Sequence, residues 1–160
     1  MNTKTYGMGK LKAAKLLMVL FAFLLGGCGS LSIGYREFST NFQYSGGRTA
    51  YDITDYQGSS KNVSIPANVK EEGERALPVT SIRSGAFAGK NLTGVRIPSS
   101  VTTIEGGAFA NNPALSAITV DANNPAYTTI DGVLFSKDGR TLVAYPAGKG
   151  SSYAIPQGVT

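Results

Sequence analysis

Histidine and tryptophan are absent from the 160 residues, and cysteine occurs once, at Cys28. Without an imidazole there is no Ser-His or Cys-His catalytic pair and no histidine metal ligand. A single cysteine excludes an intramolecular disulfide and a cysteine metal cluster. Charged residues are scarce, at 16%. The formal charge of +5 owes four lysines to the extreme N-terminus, Lys4, Lys10, Lys12 and Lys15. Beyond Gly27 eleven basic residues face ten acidic ones. No basic stripe remains to bind a nucleic acid. Long apolar runs are missing as well: the longest, Leu16–Leu25, covers ten residues. A membrane-spanning helix needs roughly 20, to cross about 30 Å of hydrocarbon.

Residues 1–27 nevertheless have the order of an export signal: a lysine-bearing stretch, the apolar run, then small Gly26-Gly27 before Cys28. The tetrapeptide Leu25-Gly26-Gly27-Cys28 resembles the lipobox of bacterial lipoproteins. That resemblance implies cleavage between Gly27 and Cys28 and diacylglycerol on the Cys28 thiol. Acyl chains contribute about 0.8 kcal/mol per buried CH₂, so several together make a stable membrane anchor. Gly29 comes after Cys28 where an aspartate tends to retain such proteins at the inner membrane, so outer-membrane or cell-surface sorting is favoured. The plainer alternative is a secretory signal with an incidental thiol. Removal of the signal leaves 133 residues, enough for one domain with a modest core.

Residues 28–40 read as a tether, and residues 41–160 as the folded domain. Asn41–Tyr44 and Thr49–Thr54 flank Ser45-Gly46-Gly47-Arg48 as a hairpin, expected to cap the N-terminal edge of the domain. The remainder of the domain is repetitive. Val79-Thr-Ser-Ile82-Arg-Ser-Gly85-Ala86-Phe87-Ala88 recurs as Val101-Thr-Thr-Ile104-Glu-Gly-Gly107-Ala108-Phe109-Ala110, a shift of 22. Leu92-Thr-Gly-Val95-Arg-Ile97 recurs as Leu115-Ser-Ala-Ile118-Thr-Val120, a shift of 23. Ile-Pro steps at Ile65-Pro66, Ile97-Pro98 and Ile155-Pro156 mark the same point in three units. A fixed period of this size signals a solenoid, whose units bury their apolar faces only by stacking.

Within a unit, Val95-Arg96-Ile97 places two apolar side chains inward on a short strand and the middle one outward. Proline then ends the strand by withdrawing a backbone donor. Ile82 and Ile104, with Phe87 and Phe109, should fill the interior from the opposite wall. The third unit is longer, with Ile130 and Phe135 lying 26 residues beyond Ile104 and Phe109, and its Asp138-Gly139 predicts a hairpin. A fourth unit is expected to start at Tyr153-Ala-Ile155-Pro156 and to be incomplete.

Ile97-Pro98-Ser99-Ser100-Val101-Thr-Thr-Ile104-Glu-Gly-Gly-Ala108-Phe109 and Asn124-Pro125-Ala-Tyr127-Thr-Thr-Ile130-Asp131-Gly132-Val133-Leu134-Phe135 resemble the BspA-type leucine-rich repeats of bacterial surface proteins, also common in treponemes. The resemblance covers roughly Tyr51 to Thr160. It implies a repeat solenoid: a β-rich right-handed superhelix with short helical turns, an N-terminal β-hairpin cap, about three repeats and an incomplete C-terminal one. Two departures stand out. Ser100 sits where the general leucine-rich consensus has asparagine or cysteine. Lys90 and Asn112 occupy the places where many relatives carry a cysteine, which puts any buried asparagine or cysteine ladder in question. The charged insertion Lys70-Glu-Glu-Gly-Glu-Arg75 reads as a solvated loop.

Catalytic chemistry has little left to work with. Pro146-Ala-Gly148-Lys149-Gly150-Ser151 contains Gly-Lys, but a phosphate loop needs glycine where Val143 sits and serine or threonine directly after the lysine, so a solvated turn is expected. Glu71, Glu72, Glu74, Glu105, Asp121, Asp131 and Asp138 are spread over the loops of successive units and read as solubilising residues. Asp131-Gly132 and Asp138-Gly139 are turn formers first. Asp121 with Asn123 and Asn124 lacks the spaced ligands and terminal bidentate glutamate of a strong calcium loop.

No enzyme, no cofactor and no metal site is expected. The resemblance instead implies a lipid-anchored, surface-exposed module binding an extracellular or envelope protein, an adhesin or host-interaction protein. A structural envelope lipoprotein and a non-functional repeat fragment are the alternatives. The outward strand positions Ser64, Arg96 and Thr119, with Ala154 in the fourth unit, form the candidate binding face.

Overall fold

The computed structural model describes residues 36–39, 41–46, 49–70 and 74–159. The strands run β1 Arg36–Ser39, β2 Phe42–Gly46, β3 Tyr51–Tyr56, β4 Asn62–Ser64, β5 Asn68–Val69, β6 Leu77–Ile82, β7 Gly94–Ile97, β8 Thr103–Ile104, β9 Ala117–Val120, β10 Tyr127–Ile130, β11 Val133–Ser136 and β12 Leu142–Ala144. Two parallel ladders organise them. One is β4-β7-β9; in the other β6 pairs with β3 on one side and β8 on the other. Their registers match the sequence shifts: Ser81 lies opposite Thr103, and Val95 opposite Ile118.

Each unit carries its chain from the second ladder to the first through a tight turn. Ala86 and Ala88 donate their N–H groups to Arg83 and Gly85 carbonyls; Ala108 and Ala110 repeat this with Glu105 and Gly107. Gly85 and Gly107 take φ of 72° and 75°, where a Cβ would be strained. The turns also stack, Phe87 N–H donating to Ala108 O at 2.9 Å and Gly89 N–H to Ala110 O at 3.0 Å. These single turns stand where the resemblance implies short helical turns. Among the described residues the helical segment is a 3-10 turn at Ala147–Lys149. Two i to i+3 bonds shape each turn, and the chain then leaves for the next strand.

Alternation on the short strands builds the core. Val63, Val95 and Ile118 are buried in one row, with Ile65 and Ile97 in the next. Val79 and Ile82 face them from the second ladder, and Leu92 and Leu115 seal the third side. Tyr56, Phe87 and Phe109 stack with centroids 5.6 and 5.5 Å apart. Burying a side chain of this size contributes about 1.5–3 kcal/mol, so no unit supplies enough alone.

The hairpin expected at residues 41–54 forms, with Tyr44 opposite Ile53. Its second strand, β3, pairs in parallel with β6, placing β2 beyond that ladder. Part of the stretch read as tether is also strand: β1 pairs with β2, Arg36 opposite Tyr44. An open β2 edge would leave a row of backbone donors and acceptors unpaired, and β1 satisfies it. The charged insertion joins antiparallel β5 and β6, and its described residues Lys70, Glu74 and Arg75 are exposed.

The third unit departs from the pattern. β10, β11 and β12 form an antiparallel meander. Asp131 and Gly132, with φ of 49° and 74°, turn between the first two strands, and Gly139, with φ of 71°, between the second pair. Such a pair of left-handed residues matches the twist of a hairpin. Ile130 and Phe135 therefore do not repeat Ile104 and Phe109: Ile130 is 38% exposed and Phe135 is buried within the meander. Among its described residues the fourth unit gains no strand, and Ile155 is 61% exposed.

Candidate functional site

The β4-β7-β9 ladder brings Ser64, Arg96 and Thr119 directly opposite one another. All three are exposed while their neighbours Val63, Val95 and Ile118 are buried, so alternation places them on the outer face. Strands about 4.8 Å apart make this a row roughly 10 Å long, flanked by Asn62, Gly94 and Ala117 in the adjacent register. Gly94 leaves room for the Asn62 side chain, whose Oδ1 would stand 2.9 Å from a Cβ there. Ala154 lies outside the row, exposed in the segment after the 3-10 turn. Gly27 and Cys28 lie outside the described residues.

Local hydrogen bonds fix the small side chains of this face. Thr119 Oγ1 donates to Val95 O, Thr93 Oγ1 to Lys61 O and Ser116 Oγ to Thr93 O, each reaching the carbonyl of the preceding unit. Arg96 is the extended element: its side chain is 64% exposed and its Nη2 is 3.6 Å from Asp121 Oδ2. A pair that open is worth at most about 1 kcal/mol, so the guanidinium is free to exchange Asp121 for another acceptor. The face combines an ordered polar floor with one loosely held cation.

The carboxylates carry structural duties instead. Arg83 bridges Asp52 Oδ2 at 2.6 Å and Glu105 Oε1 at 2.7 Å, tying three successive units together on the outside of the second ladder. The Ser84 N–H and then Arg83 hold the Glu105 carboxyl below its usual range, and the Arg83 guanidinium is raised in turn, by Glu105 first. Asp138 is lowered by Ser136 Oγ and the Arg140 N–H inside the hairpin turn. Asp121 accepts the Asn123 N–H, and Asp131 meets Lys149 at 3.0 Å. Among the described residues no three carboxylate, histidine or cysteine groups converge on a point.

The Gly-Lys segment is the exposed turn expected, a 3-10 turn with no buried residue, and it is docked by its backbone. Gly148 N–H donates to Leu115 O at 2.7 Å, and a Cβ at Gly148 would meet the Ala114 backbone carbon at 2.7 Å. Its glycine serves close packing of the 3-10 turn on the second unit.

Two buried amides carry no signal in the sequence. Asn112, 1% exposed, accepts the Leu92 N–H and donates to the carbonyls of Phe87, Phe109 and Ala110. Asn124, fully buried, donates to Pro98 O and Val101 O and accepts the Ala126 and Tyr127 N–H groups. Each fastens one unit to the next at a place where the chain leaves regular pairing. Asn112 stands at the position whose departure from the relatives' cysteine puts a ladder in question; a buried polar rung is present there, made of amide. Asn124, which the sequence offers as the start of a repeat-like stretch and as a weak calcium ligand, spends its amide on backbone.

A family model described as "BspA type Leucine rich repeat region" matches residues 56–141 in six copies. Among solved structures, a leucine-rich cell surface protein of Faecalibacterium prausnitzii is similar, at 31% identity and a TM-score of 0.53, over 61% of this chain and 26% of its own. A leucine-rich repeat protein of Bacteroides capillosus shares 31% identity over 52% of this chain and 63% of its own, with a TM-score of 0.49. The T. pallidum leucine-rich repeat protein shares 33% over 52% of this chain and 38% of its own, with a TM-score of 0.43. The chain thus spans about a quarter of the length of the F. prausnitzii protein. None of the curated proteins matches it.

Proposed function

The chain belongs to the BspA-type leucine-rich repeat family, and from that premise we propose that it is a lipid-anchored, surface-exposed module that binds a protein partner, acting as an adhesin toward host or neighbouring cells. The observation that carries this reading is the exposed row Ser64–Arg96–Thr119, set in register by three parallel strands over a buried apolar row. Repeat arrays bind through side chains presented at equivalent positions of successive units. The row offers hydroxyls and one loosely held guanidinium, suited to a polar protein surface that supplies a carboxylate for Arg96. The β2-β3 hairpin caps the N-terminal end of a right-handed array. Cys28, acylated after cleavage at Gly27, holds it at the outer membrane or cell surface, which the export-signal pattern supports. The structural bonds made by Asp52, Glu105, Asp131 and Asp138, and the lack of histidine, favour binding over catalysis.

Replacing Arg96 and Thr119 together with glutamate should abolish partner binding and leave the fold intact, since both side chains point to solvent. Undiminished binding by that variant would remove this face as the site. Cys28→Ser should release the protein from membranes. Protease added to intact cells should degrade the native protein; a chain that survives is not displayed outside.

A further inference from the structure

In the column of stacked turns each unit donates backbone hydrogen bonds to the next. Tyr56 N–H donates to Ala86 O, Phe87 N–H to Ala108 O and Gly89 N–H to Ala110 O. The next donors in this series, Phe109 N–H and Asn111 N–H, have no acceptor among the described residues. The cause is the third unit, which folds back as the β10-β11-β12 meander and sends no Ala-Phe turn to cover them. β12 borders the gap instead. A cavity of about 190 Å³ remains, walled by Ile104, Ala108, Phe109, Ala110, Val143 and Tyr145. Its carboxylate, Glu105, is already occupied by Arg83 and the Ser84 N–H.

We infer that this groove is a docking site for an aromatic side chain presented on a tight turn of another polypeptide, of the Gly-Ala-Phe-Ala kind, whose carbonyls accept the Phe109 and Asn111 N–H groups. The occupant is specified one unit earlier in the same column. There the Phe109 ring stacks on Phe87 at 5.5 Å and 27°, and the Ala108 and Ala110 carbonyls take the two N–H groups. In volume the half-open groove has room for one aromatic ring, since roughly 150 Å³ suffices for benzene in an enclosed cavity. A second copy of this chain does not supply the turn. Its Gly85–Gly89 turn is enclosed between units, and the Ala108 and Ala110 carbonyls of its other turn are already bonded. The partner is a repeat unit of a different chain with an unstacked turn. This site is separate from the ladder face, and either can fail without the other.

The test titrates the ¹⁵N-labelled full chain with the peptide Glu-Gly-Gly-Ala-Phe-Ala-Asn-Asn, the sequence of residues 105–112, blocked at both ends. Saturable amide shifts at Phe109, Asn111 and Val143–Tyr145 are expected, weakened about ten- to a hundred-fold when alanine replaces the peptide's phenylalanine. Ala144→Phe, which fills the groove from β12, should abolish the shifts. Should that variant not fold, Tyr145→Ala, which removes a wall, should weaken them. Equal shifts with the alanine peptide, shifts confined to the Ser64–Arg96–Thr119 row, or none at millimolar peptide would overturn the proposal.

Discussion

Replacing Asn112 with alanine should be among the most damaging single changes outside the apolar core. The side chain is 1% exposed and satisfies four backbone groups. On truncation Ala110 O keeps its bond from Gly89, but Leu92 N–H and the carbonyls of Phe87 and Phe109 are left without a partner among the described residues. A buried donor or acceptor stripped of its partner costs about 1–3 kcal/mol, with the N–H at the upper end because it has one bond to lose. Carbonyls retain part of their solvation if water enters the vacated space. The expected total is about 3–5 kcal/mol, set against about 5–15 kcal/mol for a whole domain. Urea unfolding followed by circular dichroism measures it, and melting should fall by about 10 °C or more. Asn123→Ala is the control: Asn123 is exposed and contributes its backbone N–H, which alanine keeps, so about 0.5 kcal/mol or less is expected. A loss under about 1 kcal/mol at Asn112, indistinguishable from the control, would refute the idea that buried amides bind the units together.

The same packing sets the outcome of other changes. Phe87→Ala, at the centre of the Tyr56–Phe87–Phe109 stack, should cost about 3–5 kcal/mol and leave a broad, weakly cooperative melt. Gly148→Ala forces a Cβ within 2.7 Å of the Ala114 backbone and should cost about 1–3 kcal/mol, loosening the 3-10 turn and speeding proteolysis after Lys149. Glu105 is held below its ordinary value, so its ion pairs contribute fully above that value and are lost as pH falls through the lowered one. The stability gap between the native chain and Glu105→Gln should therefore be present at neutral pH and vanish in acid, below the usual carboxylate range; a gap that grows on acidification would reverse the sign.

The parts of the fold legible in the sequence are those where one side chain determines its own place. Val95-Arg96-Ile97 can sit on a pleat in one way once its face is buried, so the β7-β9 register comes directly from the shift of 23. Gly85-Ala86-Phe87 and Gly107-Ala108-Phe109 fix two turns by backbone freedom and a large apolar anchor. The candidate row Ser64–Arg96–Thr119 could be aligned for the same reason, whereas Ala154 could not, because its unit makes no strand. Asn112 and Asn124 give no sign of their role because asparagine in a loop looks alike whether it faces water or a ring of carbonyls. Those carbonyls come from residues up to 26 positions away, and nothing local announces them. The fold-back of the third unit turns on a competition the pattern does not weigh: Asp131-Gly132 closes a hairpin locally, while stacking Ile130 would need a longer closure. β1 is hidden for a related reason, since it answers an edge that exists only after β2 has paired.

Site-specific photocrosslinking in living cells is the most direct test of the binding face. A photoreactive phenylalanine analogue at Ser64 or Thr119 should capture one defined protein, and the same analogue at Thr103, exposed on the second ladder, should not. Capture at Thr103 with none at Ser64 or Thr119 would contradict the assignment and move the interaction to the opposite wall.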